Sequence, residues 1–469
     1  MYRKEAVFRE RLVITGFGSV GQGALPLLLR HIEMRPAQVL VIDARAEDAP
    51  LAEALGVRHL TALLREDNYR QVLEPHLGRG DFLLNLSVEV GSTALMQHCR
   101  EIGALYLDTC TEPWPGSAAD ASRPLAERTN YALREAALAL RQPGPSPTAV
   151  MTHGANPGLV SHFLKQALLN IAQDTGSGGA TPASREDWAR LAQRLGIRAI
   201  HIAERDSQWS RDRKRPGEFV NTWSIQGFIE ESLQPSELGW GSHERRFPAD
   251  GVRHPSGCRA SIYLKQPGAA TRVRSWAPLA GPFHGFLVTH AEAMSIADYL
   301  TLGDPVGPSY RPTVLYAYHP CDDAVLSLLE LAGRNWRPQE NQRRIRDDIA
   351  SGRDELGVLL MGHAKNAYWF GSQLTVAEAR AACPYNSATS LQVAAGVMAG
   401  VIWAIRNPQA GVMEPEELPF DEILRLCEPY LGELHNAYSD WSPLAARGRL
   451  FEEDVDRSDP WQFGNFRVT

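Results

Sequence analysis

The chain has 469 residues, of which 44% are hydrophobic, and its 48 basic and 55 acidic residues give a net charge of −7. This composition is typical of a globular protein with more than one apolar core, and we expect two domains. The negative charge provides no general attraction for nucleic acid or for an anionic membrane, whereas a cationic ligand would be tolerated.

The termini and the cysteines favour a cytoplasmic protein. Residues 1–10 are polar and show no signal peptide. The uncharged apolar run 393–405 is too short to cross a bilayer, so we expect a buried helix there and no membrane association. The six cysteines form no C-x-x-C pair. We therefore expect reduced thiols, with neither a disulfide framework nor a metal site.

The first motif is a glycine-rich turn at residues 16–23, which follows an apolar run and opens a predicted helix. In a dinucleotide-binding turn, Gly16 permits the tight bend, Gly18 allows the phosphates to approach, and Gly21 lets the helix pack closely. The amides at the helix start face the anion. The cofactor candidates in this turn are Gly16, Gly18, Ser19, Val20 and Gly21.

A second predicted strand ends at Asp43, which lies 22 positions after Gly21. This is the spacing expected for the acid that binds the adenosine ribose. A carboxylate at this position favours NAD, because it would repel the additional phosphate of NADP. Arg45 leaves NADP open as an alternative.

The predicted elements that follow alternate between strand and helix. The strands are expected at 81–86, 104–109 and 148–152, and the helices at 93–102 and 130–140. This alternation predicts an α/β fold with a Rossmann-type doubly wound parallel sheet over residues 1–155. Ligands bind beyond the carboxyl ends of such strands. Ser87, Thr109 and Asn156 are therefore further cofactor-binding candidates, and Asn156 is also the predicted N-cap of a helix that begins at Pro157.

The second half of the chain shows a different pattern. Strand-like runs are found at 199–203, 218–225, 259–265 and 286–289. They predict a second α+β substrate and dimerisation domain, residues 156–385, built on a mostly antiparallel sheet. A long helix at 386–410 is expected to complete the first domain, and 411–469 to form a helical and irregular tail. The basic cluster 211–215 is expected to be a solvated loop rather than an anion site.

Missing signatures narrow the chemistry. The chain has no G-x-x-x-x-G-K-[ST], H-E-x-x-H or G-x-S-x-G motif, which argues against a nucleotide triphosphatase, a zincin and an α/β-hydrolase. Nicotinamide chemistry remains, and it requires groups that manage protons and substrate charge.

The candidate substrate-facing residues are mainly acidic. They are Glu89, Glu112, Glu204, Glu230, Glu231 and Glu237. A carboxylate is the natural partner of an ammonium group. Trp223, in the predicted strand 219–228, is either a core aromatic or an indole face that stabilises a cation. His284 and His290 are candidate proton carriers, with a structural role as the alternative.

Several stretches together resemble the bacterial homospermidine synthases, a family whose architecture is similar to that of saccharopine dehydrogenase. The stretches are 16–23, 85–89, 108–114, 153–158, 203–206, 221–224, 227–231 and 281–290. The resemblance implies a homodimeric polyamine transferase that retains NAD as a recycled prosthetic group. It implies that two putrescine molecules, or spermidine and putrescine, give homospermidine by transient oxidation to an imine, amine exchange and re-reduction.

The resemblance also implies roles for individual residues. The matching functional positions are Glu112, Asn156, Glu204, Trp223, Glu231 and His290. Glu89, a further candidate for substrate binding, occupies a position where the family carries an aspartate. We assign Glu204 and Glu231 to ammonium binding and proton transfer, and Trp223 to cation–π stabilisation. Asn156 and Glu112 are assigned to positioning, and His290 to proton shuttling.

Two other functions remain open on the sequence. A saccharopine-type dehydrogenase, or another amino-acid or amine dehydrogenase, would share the dinucleotide motif. Saccharopine-type substrates carry several carboxylates and call for arginines in the pocket. A non-catalytic NAD-binding regulator would keep the fold without turnover.

Overall fold

The computed structural model describes residues 3–116 and 122–468. The helices of these residues are α1 Ser19–His31, α2 Ala49–Ala54, α3 Tyr69–Leu73, α4 Ser92–Ile102, α5 Asn130–Leu138, α6 Leu159–Asp174, α7 Arg185–Leu195, α8 Ile225–Leu233, α9 Ala291–Tyr299, α10 Asp322–Gly333, α11 Val376–Ala382, α12 Ala388–Arg406, α13 Phe420–Cys427 and α14 Phe463–Phe466. The strands are β1 Ala6–Val7, β2 Leu12–Thr15, β3 Ile32–Glu33, β4 Val39–Asp43, β5 Arg58–Thr61, β6 Phe82–Asn85, β7 Leu105–Asp108, β8 Ser146–Val150, β9 Ala199–Asp206, β10 Trp209–Ser210, β11 Glu218–Asn221, β12 Pro235–Gly239, β13 Gly251–Arg253, β14 Ser261–Pro267, β15 Arg272–Ala277, β16 Gly281–Phe286, β17 Leu302–Gly303, β18 Pro308–Tyr310, β19 Thr313–His319, β20 Asn341–Arg344, β21 Ile349–Ser351, β22 Arg353–His363, β23 Asn366–Thr375, β24 Ala410–Met413 and β25 Glu433–Ser439.

The first sheet is parallel, with the strand order β24-β8-β7-β6-β2-β4-β5. Every residue of β2, β4, β6 and β7 is buried. Continuous apolar strands are expected when helices cover both faces of a sheet. The predicted Rossmann-type sheet is confirmed. The strand order reverses next to β2, so the glycine turn that follows β2 lies in the crevice where such folds bind ligands.

Helix α12 packs against α1 of the first domain and also against α13. It is the one helix among the described residues that is long and apolar enough to cross a membrane, but 89% of its apolar window is buried inside the protein. A Cβ at Gly396 would lie 2.0 Å from the carbonyl oxygen of Gly154. The helix is therefore a core element that packs directly against the loop following β8.

The second sheet is mixed, with the order β13-β14-β12-β19-β9-β22-β23-β25, and β15 and β16 join it through β19. Only β9 and β19 pair in parallel within this sheet of the described chain. The predicted second domain with a mostly antiparallel sheet is confirmed. Strands β9 and β19 lie at its centre and carry Glu204, Tyr316 and Tyr318.

Two local predictions around the site are wrong. The strand expected at 218–225 ends at Asn221, and α8 begins at Ile225, so Trp223 lies in the connection and not in a strand. Ser224 ends the strand pattern because its side chain accepts the amide of Gly227 and caps α8. The strand-like run at 286–289 likewise lies mostly beyond β16.

Asn156 is not the N-cap that its position before Pro157 predicts. Helix α6 begins at Leu159 with Gly158 as the capping residue. Gly158 has φ +126°, and a Cβ there would lie 2.2 Å from the carbonyl oxygen of Gly154. The loop folds back on itself at this glycine, and the side chain of Asn156 is left to make contacts elsewhere.

Two strands lie in the stretch that was expected to be helical and irregular. β24 pairs with β8 at the edge of the parallel sheet, and β25 pairs with β23 in the mixed sheet. In the basic cluster 211–215, Arg213 pairs with Asp323, Lys214 with Glu330 and Arg215 with Asp212. Three of the four basic side chains of the cluster are thus engaged in ion pairs.

Candidate active site

Two connected cavities lie between the sheets. The outer groove, of about 1480 Å³, is lined by the glycine turn, Asp43 and Arg344. The inner cavity comprises about 1010 Å³ of empty space, part of which is open to solvent. Val20, Leu86, Ser87, Val88 and Ser224 line both of them. A dinucleotide whose pyrophosphate lies on the glycine turn would therefore reach the inner cavity with its far end.

The glycine turn has the geometry that a dinucleotide requires. Gly16 has φ +84°, and a Cβ there would lie 2.5 Å from the carbonyl carbon of Leu86. A Cβ at Gly21 would lie 2.6 Å from the carbonyl oxygen of Gly16. At Gly18 nothing is closer than 3.8 Å, which leaves this face open to the groove. These residues fit the bend, the close packing and the phosphate approach described for the motif.

Asp43 is fixed at the end of β4. Its carboxylate accepts the Phe17 amide at 2.6 Å and the Arg45 amide at 2.8 Å. The Arg45 guanidinium lies 3.5 Å from Asp43 and 3.4 Å from Asp48. Asp43, the acid expected to bind ribose, therefore lines the groove. Arg45, the residue that kept NADP binding as an alternative, is engaged by two carboxylates.

The inner cavity brings together most of the predicted site residues. These are Val20, Ser87, Thr109, Glu112, Asn156, Glu204, Trp223, Glu231 and His290. Glu89 lies outside this cavity, in the groove and in an adjoining cavity that it shares with Glu230. His284 is exposed on β16 and does not line the inner cavity. Within the described part of the chain, the lining contains no arginine or lysine.

Glu204 is a buried carboxyl that accepts two hydrogen bonds. Its Oε2 accepts from Asn156 Nδ2 at 2.8 Å and from the Tyr316 hydroxyl at 2.7 Å. Only 2% of Glu204 is exposed, and this burial raises its pKa to about 7. A carboxyl with a pKa near neutrality can act as a base at physiological pH. The Asn156 side chain does not cap α6 and instead donates to this carboxyl.

Glu112 is the second carboxyl with a strongly shifted pKa. Burial, followed by the negative charge of Glu230, raises its pKa to about 8. Its Oε2 accepts the amide of Glu89 at 3.4 Å. Near pH 7 this raised pKa favours the protonated form of Glu112, and a bound cation would favour its ionised form.

His290 lies between two carboxylates. Its Nε2 is 3.1 Å from Glu231 and its Nδ1 is 3.3 Å from Glu292. Burial alone would lower the pKa of His290, but the charges of Glu292 and Glu231 raise it well above its ordinary value. Glu292 is fully buried, and its Oε2 has no hydrogen-bond partner among the described residues. The histidine is thus held as a cation at the wall of the cavity.

Trp223 is fixed by its own indole N–H. Nε1 donates to the Tyr318 hydroxyl at 3.0 Å, and the ring packs on Phe228 with the centroids 5.2 Å apart. Tyr318 stacks in turn on Tyr316. The indole therefore lines the cavity in a defined orientation next to the tyrosine that holds Glu204.

Glu237 has a structural position. Its carboxylate accepts the amides of Asn130 and Tyr131 at the start of α5, and the hydroxyl of Thr289 at 2.6 Å. Burial raises the pKa of Glu237 to about 7. This acid joins the second sheet to a helix of the first domain and does not line the inner cavity.

Sequence reasoning missed Tyr316, Tyr318 and Glu292. The two tyrosines lie in the apolar strand β19, where an aromatic residue reads as core. Glu292 is more informative, because it is the only acid in the first turn of the apolar helix α9 and lies two residues after His290. A buried acid beside a candidate histidine is a signal that could have identified it.

Comparisons with known proteins agree with this geometry. Residues 12–150 match the saccharopine dehydrogenase NADP binding domain, and residues 154–439 match the saccharopine dehydrogenase C-terminal domain. The homospermidine synthase of Blastochloris viridis is 52% identical over 462 residues, which cover 97% of each chain. That of Mesorhizobium japonicum is 49% identical over 465 residues, covering 97% of this chain and 96% of the relative.

A solved structure is similar over the whole chain. It is the homospermidine synthase of Legionella pneumophila in complex with NAD, with 48% identity and a TM-score of 0.92, covering 99% of this chain and 98% of that chain. Identity near one half over nearly the full length of three relatives is sufficient to assign the family. The chain belongs to the homospermidine synthase family and is built from domains of the saccharopine dehydrogenase type.

Proposed function

We propose that this enzyme transfers an aminobutyl group with NAD as a prosthetic group, converting two putrescine molecules into homospermidine and ammonia. Spermidine and putrescine form the second substrate pair. The NAD bound in the Legionella pneumophila relative and the position of Asp43 support this cofactor. Tight cofactor retention is part of the proposal, because the reaction has no net redox change.

The observation that carries the proposal is the charge of the inner cavity. Its described lining includes Glu112, Glu204 and Glu231 but no arginine or lysine. A diammonium substrate suits such a lining, since each ammonium requires a carboxylate partner. A substrate of the saccharopine type carries several carboxylates, which these acids would repel. The lining therefore favours the synthase over the saccharopine-type dehydrogenase.

The reacting nitrogen must first lose a proton. An alkylammonium resembles that of lysine, so making it neutral near pH 7 costs about 4 to 5 kcal/mol. We assign this proton to Glu204, whose burial raises its pKa to about 7. Asn156 and Tyr316 both donate to Glu204 Oε2 and so keep the base oriented.

The other charged groups hold the cationic species of the reaction. Bound NAD supplies the redox chemistry, by accepting a hydride from the carbon beside the reacting nitrogen and returning it after the amine exchange. Trp223 is assigned to the cationic imine through its ring face, and Glu231 to the distal ammonium. The second amine adds to the imine carbon, and ammonia leaves. Glu204 or His290 donates the proton that the leaving nitrogen requires.

Incubation of the purified protein with NAD and putrescine tests the proposal. The synthase is expected to form homospermidine and ammonia in equal amounts without accumulation of NADH. A dehydrogenase would form NADH in proportion to the amine consumed. Protein that binds NAD but forms neither product would instead support a non-catalytic regulator.

The proposal includes the assembly and the location of the enzyme. We infer a cytoplasmic homodimer, in which residues 156–385 supply the substrate and dimer surfaces and residues 1–155 with α12 bind NAD. Light scattering on the purified protein tests the dimer, since a mass of about one chain (51.8 kDa) would contradict it.

A further inference from the structure

One strand of the second domain reaches across to the glycine turn. β20 pairs in parallel with β11, and the amide of Ile345 extends this pairing to Asn221. At the end of β20, Arg344 Nη1 donates to the Ser19 hydroxyl at 2.8 Å. Beyond the strand, Arg346 Nη1 donates to Gln22 Oε1 at 2.7 Å. Two guanidinium groups from the second domain therefore lie over the first turn of α1.

Arg344 points into the groove where the phosphates of a dinucleotide would lie. It lines the groove together with Gly18 and Ser19. A Cβ built at Gly18 would be 3.9 Å from Arg344 Nη1 and 3.8 Å from Arg45 Nη2. Two cationic groups thus meet at the glycine whose bare backbone admits the phosphates.

The charge of Arg344 is not neutralised by a salt bridge with any described carboxylate. The neighbouring Arg343, in contrast, pairs with Glu218 at 2.8 Å and with Asp348 at 3.3 Å. Burial, followed by the positive charges of Arg346 and Arg45, lowers the pKa of Arg344. Arg45 pairs with Asp43 and Asp48, and Arg346 pairs with Asp347. Arg344 is therefore the guanidinium of this group that lacks a carboxylate partner among the residues that the structure describes. An anionic ligand would stabilise it, and Arg matches phosphate through two parallel hydrogen bonds.

We propose that Arg344, supported by Arg346, binds the pyrophosphate of NAD from the second domain and thereby retains the cofactor throughout the catalytic cycle. This inference rests on the proposed function and adds the residues that turn a dissociable dinucleotide into a prosthetic group. The glycine turn contacts the phosphates from one side only. Arg344 lies on the other side of the groove, so residues of both domains hold the cofactor.

Retention has a chemical consequence for this reaction. If the reduced dinucleotide leaves before the amine exchange is complete, the imine has no hydride to recover. Water then adds to the imine carbon, and ammonia leaves, so the products are an aminoaldehyde, ammonia and free NADH. Weak retention should therefore convert a transferase into an amine dehydrogenase that reduces NAD to NADH stoichiometrically.

The test compares Arg344→Gln with Arg343→Gln, which removes a charge from the adjacent position of the same strand. The Arg344→Gln variant should lose most of its NAD on desalting, and its Kd for NAD should rise about 10- to 100-fold. With putrescine and added NAD it should release NADH and aminoaldehyde. The Arg343→Gln variant should match the parent in all three measurements. Arg344→Lys, which keeps the charge but loses the paired geometry, should give an intermediate Kd.

Each outcome is decisive. An Arg344→Gln variant that is folded by circular dichroism, holds NAD with a Kd within about twofold of the parent and releases no NADH overturns the inference. If Arg344→Gln does not fold, the Arg344→Lys variant decides, since a Kd equal to that of the parent overturns the paired phosphate contact. A parent enzyme without affinity for NAD would overturn the proposed function instead.

Discussion

Replacing Glu112 with glutamine should have an effect on kcat/KM for putrescine that grows with pH. Burial, followed by the charge of Glu230, raises the pKa of Glu112 to about 8. In the free enzyme this carboxyl is therefore only about 1% ionised at pH 6 and about 90% ionised at pH 9. Glutamine resembles the protonated form in shape and charge. The substitution should thus be nearly silent at low pH and costly at high pH.

The size of the effect follows from the contact that the carboxylate offers an ammonium group. A hydrogen bond to a charged partner contributes about 1.5 to 3 kcal/mol, or roughly 10- to 150-fold. At pH 6 the small ionised fraction limits the ratio of parent to Glu112→Gln activity to about threefold at most. At pH 9 the ratio should reach about 10- to 100-fold. The raised pKa of Glu112 determines the direction of this pH dependence. The carboxyl gains its negative charge, and with it attraction for the ammonium substrate, as the pH rises through about 8.

Initial rates of ammonia release at low putrescine concentration measure this ratio. The parameter kcat/KM reports the ionisation of the enzyme before putrescine binds. Glu204 titrates in parent and variant alike, so its contribution cancels in the ratio, whereas Glu230 loses its repulsion by Glu112 in the variant. Glu101→Gln, at an exposed ion pair with Arg70, is the matched control and should give a flat ratio. A Glu112→Gln ratio that stays constant with pH would refute the reasoning.

Substitutions at three further positions test other parts of the site. Trp223→Phe should retain part of the activity, and Trp223→Ala should lose nearly all of it, by up to about 30-fold from the lost cation–π contact. Both variants should still bind NAD. Full activity in both would contradict the cation–π role. Glu292→Gln should lower the pKa of His290, since Glu292 is a main cause of its rise; an unchanged histidine titration by NMR would contradict this. Asp43→Asn should reduce the ratio of the Kd for NADP to the Kd for NAD by about tenfold. An unchanged ratio would show that Asp43 does not set the preference for NAD.

The elements that the sequence predicts well are those set by local chemistry. The glycine turn, the acid at Asp43 and the buried strands of the first sheet follow from glycine positions and continuous apolar runs. The second sheet follows from its shorter strand-like runs. Glu112 could be proposed because it follows a strand of the first sheet, at the carboxyl edge where this fold binds ligands.

The contacts that the sequence could not predict are tertiary ones. Asn156 has the local pattern of an N-cap, but the fold of the loop at Gly158 assigns that role elsewhere and leaves Asn156 to bind Glu204. Tyr316 lies in a buried strand, and its hydroxyl becomes functional only because β9 pairs with β19. Arg344 lies more than 300 residues from the turn it contacts, as its hydrogen bond to Ser19 spans 325 positions. A pattern of neighbouring residues in the sequence cannot predict such a contact.

The central claim is that one hydride leaves the substrate and returns to the same carbon on a cofactor that stays bound. Putrescine deuterated at both amine-bearing carbons, incubated with the NAD-loaded enzyme in the presence of free unlabelled NADH, tests it directly by mass spectrometry of the product. The account predicts homospermidine that retains all of the deuterium. Homospermidine that has exchanged one deuterium for hydrogen would show that the cofactor leaves between the two steps, and would contradict the account.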